Sequence, residues 1–89
     1  MTQIIRLNAV FREVFSEPDL VIRPDMTAED VESWDSFNHI NLVVGIEAAF
    51  SVAFTTREIT GMRTVDDLIT VMRDIKGVDI SWDGLPEAP

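Results

Sequence analysis

Between Asp35 and Phe50 the chain carries one charged side chain, Glu47, in a run that is otherwise apolar or neutral. Phe37, Ile40, Val43, Val44, Ile46 and Phe50 recur at steps of three and four residues, the period of one helical face. Leu42, Ala48 and Ala49 widen that stripe around the helix. A helix this apolar in a short acidic chain is expected to be wrapped by other elements rather than to lie on a surface. The pattern therefore predicts a central helix with Phe37, Ile40, Val44 and Phe50 buried. Their expected neighbours are Phe11, Val14, Phe54, Leu68 and Ile69 from the surrounding elements.

The start of this helix carries its own chemistry. Asp35 and Ser36 both have side chains able to accept from the unpaired amides of a first turn. A serine there also holds its hydroxyl where free N–H groups and the helix dipole favour an anion such as a phosphate. The residues alone leave both roles open for Ser36, a simple cap or the bearer of an anionic group.

Eighty-nine residues suffice for one domain with one small core. A formal net charge of −9 repels nucleic-acid phosphate and anionic lipid and favours basic protein surfaces, so nucleic acid is excluded as a partner. With no cysteine there is no disulfide, no thiolate metal site and no cysteine nucleophile. If the chain carries thioesters, their thiol must come on a cofactor. The residues Met1 to Arg6 lack the pattern of a secretory signal, and no apolar run approaches a membrane span. A cytoplasmic monomer with no membrane association is expected.

Ahead of the central helix, Ile4, Leu7, Phe11 and Val14 predict a first helix over residues 3–16, with Thr2 as cap and Pro18 enforcing the stop. Residues 17–34 form a long connection anchored inward by Leu20, Val21 and Ile22, with one short helical turn at Thr27. Its five carboxylates, Asp25, Glu29, Asp30, Glu32 and Asp35, lack the spacing and the glycine of a calcium loop, so no metal site is expected. Trp34 is expected to pack where the central helix begins. Thr55 and Glu58 form a capping box for a short third helix ending near Gly61, with Ile59 and Met62 turned inward. Thr64 and Asp67 form a second box, opening a helix to about Lys76 that buries Val65, Leu68, Ile69 and Met72 and stops at Gly77. The expected fold is all-α, a small four-helix bundle of three longer helices and one short one. It occupies residues 1–77, and residues 78–89 form an irregular tail whose default is disorder unless Trp82 packs back.

Asp35-Ser36-Phe37 at the head of the central helix resembles the Asp-Ser-Leu attachment motif of acyl carrier proteins. The resemblance continues through Leu42, Val43, Glu47 and Phe50 to Thr64-Val65, and covers roughly residues 3 to 76. In that family the motif serine bears a 4′-phosphopantetheine arm taken from coenzyme A, and the residue in that place here is Ser36, flanked by Asp35 and Phe37. The resemblance implies a carrier that holds acyl groups as thioesters. It also implies a phosphopantetheinyl transferase and acyl-loading and acyl-transfer enzymes as partners. No catalytic residue is expected: His39 stands three residues from Ser36, but the chain lacks the strand, the elbow and the oxyanion hole of a nucleophile triad. His39 is instead expected on the exposed side of the first turn, as a partner contact or solvated.

Members of the family that serve fatty-acid synthesis resemble one another in having acidic residues on one face of the central helix. Here the matching stripe is uncharged: Asn38, Asn41, Gly45 and Ala48. Asn38, His39, Asn41 and Ala48 are thus candidate partner contacts. The departure points to a specialised stand-alone carrier for a polyketide, peptide or surface-polysaccharide pathway. The alternatives are a housekeeping fatty-acid carrier and, from another class, an acidic helical interaction module that never bears an arm.

Overall fold

The structure, a computed structural model, describes residues 2–85. Four helices run in order: α1 (Gln3–Phe15), α2 (Ser36–Phe50), α3 (Thr56–Gly61) and α4 (Val65–Asp74), with no strand among the described residues. The chain is an all-α bundle of three longer helices and one short one, as its apolar periodicity predicts.

Its core is built mainly from α1 and α4. Ile4, Leu7, Phe11 and Phe15 of α1 meet Val65, Leu68, Ile69 and Met72 of α4, all buried. Thr2 occupies the N-cap position of α1, but its side chain makes no cap hydrogen bond. The helix ends at Ser16, in left-handed geometry with φ 54°, two residues before Pro18. Both capping boxes form: Thr55 with Glu58 at α3, and Thr64 with Asp67 at α4. Helix α4 stops at Asp74, two residues short of the expected Lys76, and Gly77 takes a positive φ of 71° just beyond it.

The long connection before α2 is tied down along its length. The buried Asn8 amide donates to Leu20 C=O at 3.1 Å and accepts from Ile22 N–H at 2.8 Å. Farther on, Met26 C=O and Pro24 C=O accept from Val65 and Asp66 N–H, satisfying two amides of the first turn of α4. Ile22, Met26, Val31 and Trp34 are buried, and Leu20 and Val21 half-buried. Thr27 opens a single hydrogen-bonded turn rather than a helical one: Asp30 accepts from Thr27 N–H at 2.9 Å.

Helix α2 departs from its expected burial. Only Leu42, Val43 and Ile46 are buried, whereas Phe37, Ile40 and Val44 are 76 %, 54 % and 57 % exposed and Phe50 is half-buried beneath the Arg6 guanidinium. The reason is the supply of covering material. One side of α2 lies on α1, so closely that a Cβ on Gly45 would come within 3.1 Å of Val10 Cγ1. On the other side stands α3, six residues long with none buried, which is too short to cover the whole stripe.

The tail also departs from expectation. Ile80 is buried in the same core, Trp82 is half-buried with its N–H donating to Asp66 at 3.0 Å, and Gly84 lies against Thr2 and Ile4. Residues 78–85 thus pack back across α4 and the start of α1, apolar side chains outweighing the irregular backbone. The rest of the expected tail, residues 86–89, lies outside the described residues.

Candidate functional site

Asp35 has the extended backbone of an N-cap, and its carboxylate accepts from Asn38 N–H at 2.8 Å. Its own C=O accepts from His39 N–H at 2.8 Å. The cap is therefore Asp35 alone, and Ser36 is the first helical residue. Ser36 is exposed, and its hydroxyl has no hydrogen-bond partner among the described residues. The N–H groups of Ser36 and Phe37 are the free donors of the first turn, since the next two are taken by Asp35. The cap role that the sequence left open for Ser36 is thus filled by its neighbour.

Ser36, Ile40 and Val44 follow one another at four-residue steps, and Phe37 stands beside them. They form an exposed apolar strip that begins at the serine. This strip is the part of the site that periodicity missed. The signal was present all the same: if Ser36 must face solvent, the residues four and eight places on must share its face.

The other candidates separate. Asn38 is half-buried and committed to the protein, donating to Ser33 C=O at 2.7 Å while accepting from Asn41 at 3.1 Å. Gly45 faces Val10 and Val14 in the seam between α1 and α2. Of the uncharged stripe, only Asn41 and Ala48 are exposed. His39 is half-buried rather than on the exposed side of its turn. Its ring lies nearly coplanar with that of Trp34, the planes 18° apart and the centroids 6.2 Å apart, its Nδ1 accepts from Trp34 Nε1–H at 3.1 Å, and its Nε2 stands 3.3 Å from Ile59 C=O. A neutral imidazole protonated at Nε2 satisfies both partners. Sequence spacing does not reveal the contact with Ile59, which lies twenty residues away.

Beside Ser36, between α2 and α3, an open cleft of about 580 Å³ is walled by Trp34, His39, Ile40, Ile59, Thr60 and Met62. Charge around it is dispersed. Asp35 is the one carboxylate lining it among the described residues, while in the preceding loop Arg23 pairs with Asp25 at 3.5 Å and with Asp30 at 4.0 Å. Among the described residues, no group of histidines and carboxylates is arranged as a metal site. The Glu58 carboxyl is held below its ordinary range by the Lys76 ammonium at 2.8 Å and the Thr55 N–H. Asp67 is held low by the N–H groups of Thr64 and Arg63.

No family model matches the chain, and neither does any curated protein. Among solved structures, the chain is similar to a holo acyl carrier protein from Geobacter metallireducens, determined in solution by NMR. The two share 28 % identity with a TM-score of 0.77, over 86 % of this chain and 88 % of that one. The four-helix order, the Asp35-Ser36-Phe37 motif opening α2 and this likeness along nearly the whole chain agree. In fold and helix order the chain is similar to an acyl carrier protein along nearly its whole length, which supports assigning it to that family.

Proposed function

We propose that the chain is a carrier that presents acyl groups to enzymes, held as thioesters on a 4′-phosphopantetheine arm at Ser36. The observation that carries the reading is that Asp35 caps α2, leaving the Ser36 hydroxyl exposed and unpartnered at the helix N-terminus. The likeness to a holo acyl carrier protein supports the same role. The residues present fit the arm: an accessible hydroxyl to esterify, two unspent N–H groups toward a phosphodiester, and an adjoining cleft. Bound there, the arm supplies the thiol that this cysteine-free chain lacks.

The remaining residues position and present. Asp35 fixes the first turn, so Ser36 projects from a rigid element. The helix N-terminus favours the added negative charge by about 0.3–1 kcal/mol at an exposed site. Phe37, Ile40 and Val44 offer partner enzymes an apolar strip beside the serine, on a chain whose net charge of −9 attracts basic surfaces. The domain itself performs no catalysis in this reading.

The test is to incubate the chain with a broad-specificity phosphopantetheinyl transferase and acetyl coenzyme A. Wild type gains one acetylated arm, and hydroxylamine removes the acetyl group while the arm stays. Ser36→Ala gains nothing. A wild type inert to several transferases would leave the interaction module without an arm as the better reading.

Within the family, Asn41 and Ala48 favour a specialised pathway, since acidic residues at these two exposed places would attract basic fatty-acid synthase enzymes. Asn38 is excluded from this argument by its bond to Ser33. The holo wild type is expected to be a poor substrate for a malonyl transferase of fatty-acid synthesis. Asn41→Glu with Ala48→Glu should improve loading, more so at low salt. Efficient loading of the wild type would favour the housekeeping reading instead.

A further inference from the structure

The cleft beside Ser36 does not continue into the bundle. Beneath it lies a second space of about 10 Å³, bounded on the core side by Leu42, Val43, Ile46, Val65 and Leu68. That is room for one water at most. Three side chains border both spaces, Trp34, His39 and Met62, and so form the wall between them. We propose that the Trp34–His39 pair, with Met62, seals the interior of the bundle from the Ser36 cleft, so that this carrier holds short or polar acyl groups outside and excludes long alkyl chains from its core.

The wall is fixed from several directions. Trp34 packs edge-on against Phe11 with centroids 5.7 Å apart and tilted against Phe15 at 5.5 Å. Its indole N–H is committed to His39, and the opposite nitrogen of that ring is committed to Ile59 C=O on α3. A chain passing inward has to part the indole from the imidazole or the imidazole from α3, leaving a polar group unpaired in a half-buried site. Behind the intact wall the void is too small for a few methylenes, so a chain finds room there only where a wall side chain is removed. The outer cleft is open to water and mixes the apolar Ile40, Ile59 and Met62 with Thr60 and the Asp35 carboxylate. Such walls suit an acyl group that is short or bears its own polar atoms.

This inference rests on the carrier reading, and its test separates the two. The arm is installed with acetyl or decanoyl already attached, and methyl NMR spectra and melting temperatures are recorded. In wild type both cargoes are expected to move the Ile40 and Ile59 methyls, leave those of Ile46 and Leu68 unmoved, and give the same melting temperature. In His39→Ala the breached wall should let decanoyl shift Ile46 and Leu68 and raise the melting temperature above that of the acetyl form. Met62→Ala provides a second breach should His39→Ala fail to fold. Decanoyl shifting Ile46 and Leu68 in wild type overturns the proposal, as does a decanoyl chain that stays outside in both breached variants. Failure of any arm to attach counts against the carrier reading alone. In that event Ser36→Cys, whose thiol is unique in the chain, takes methylthio or decylthio groups from alkyl methanethiosulfonates as mixed disulfides, releasing methanesulfinate, and the same spectra decide the matter.

Discussion

Helices α3 and α4 begin alike and are held differently. Each opens on a threonine whose hydroxyl accepts from the third helical N–H, with an acid at that place reaching back to the cap. Helix α4 then buries Val65, Leu68, Ile69 and Met72 in the core, whereas α3 buries none of its six residues. Helix α3 is tied by the Glu58–Lys76 pair at 2.8 Å and the reach of His39 to Ile59 C=O, with Phe54 and Met62 packed against the core at its two ends. A capping box decides where a helix starts, and apolar burial decides how firmly it stays. The less firmly held helix is the one that walls the cleft beside Ser36.

The largest expected difference lies in the apolar anchors. Ile69→Ala should destabilise the fold by about 2–5 kcal/mol, as for a fully buried side chain. Ile59→Ala, from a half-buried place on α3, should cost less than about 1.5 kcal/mol. Urea melts of the two variants decide this, and equal losses would mean that α3 is as integral to the core as α4.

Acid should sharpen the contrast. Glu58 and Asp67 both have folded-state pKa values below their unfolded ones, so the stability they contribute is present at neutral pH. It is lost as pH falls through the ordinary carboxylate range and on through the lower folded-state values. For α3 that removes the pair with Lys76, while α4 keeps its buried side chains. Methyl NMR through an acid titration should show Ile59 released before Ile69. Simultaneous release would contradict the unequal anchoring.

Smaller effects are expected at the helix starts. Thr55→Ala and Thr64→Ala each remove a cap of comparable local strength, about 0.5–2 kcal/mol. Hydrogen exchange should confine the first loss to α3 and spread the second through the global unfolding equilibrium. At α2 the cap is Asp35, so Asp35→Ala should cost about 1 kcal/mol. Ser36→Ala should stay within about 0.5 kcal/mol of wild type, the range of an exposed substitution. A loss at Ser36 as large as that at Asp35 would show that the serine also has a structural task.

Most of this fold was legible because its signals are local. The stripe of α4, both capping boxes and the motif at the head of α2 all depend on neighbours within one or two turns. The buried face of α2 was not legible from its period, since Phe37, Ile40 and Val44 are as apolar as Leu42, Val43 and Ile46. Which of them is covered depends on how much helix the rest of the chain can bring across, and α3 brings only six residues. Met26 and Val31 sit in the core without any period to announce them, held through the bonds of the loop to α4. The bridge from Trp34 through His39 to Ile59 joins residues distant in sequence, and it turned a suspected surface contact into part of a wall.

Everything proposed for this chain turns on one hydroxyl. The direct measurement is peptide-resolved mass spectrometry of the wild type after reaction with a phosphopantetheinyl transferase and coenzyme A. Ser33 and Ser51, which flank the same helix, serve as internal controls. The expected result is one phosphopantetheine on the peptide containing Ser36, localised to that residue, with Ser33 and Ser51 unmodified. An arm on another serine, or none with several transferases, would contradict the assignment of Ser36 as the point of attachment.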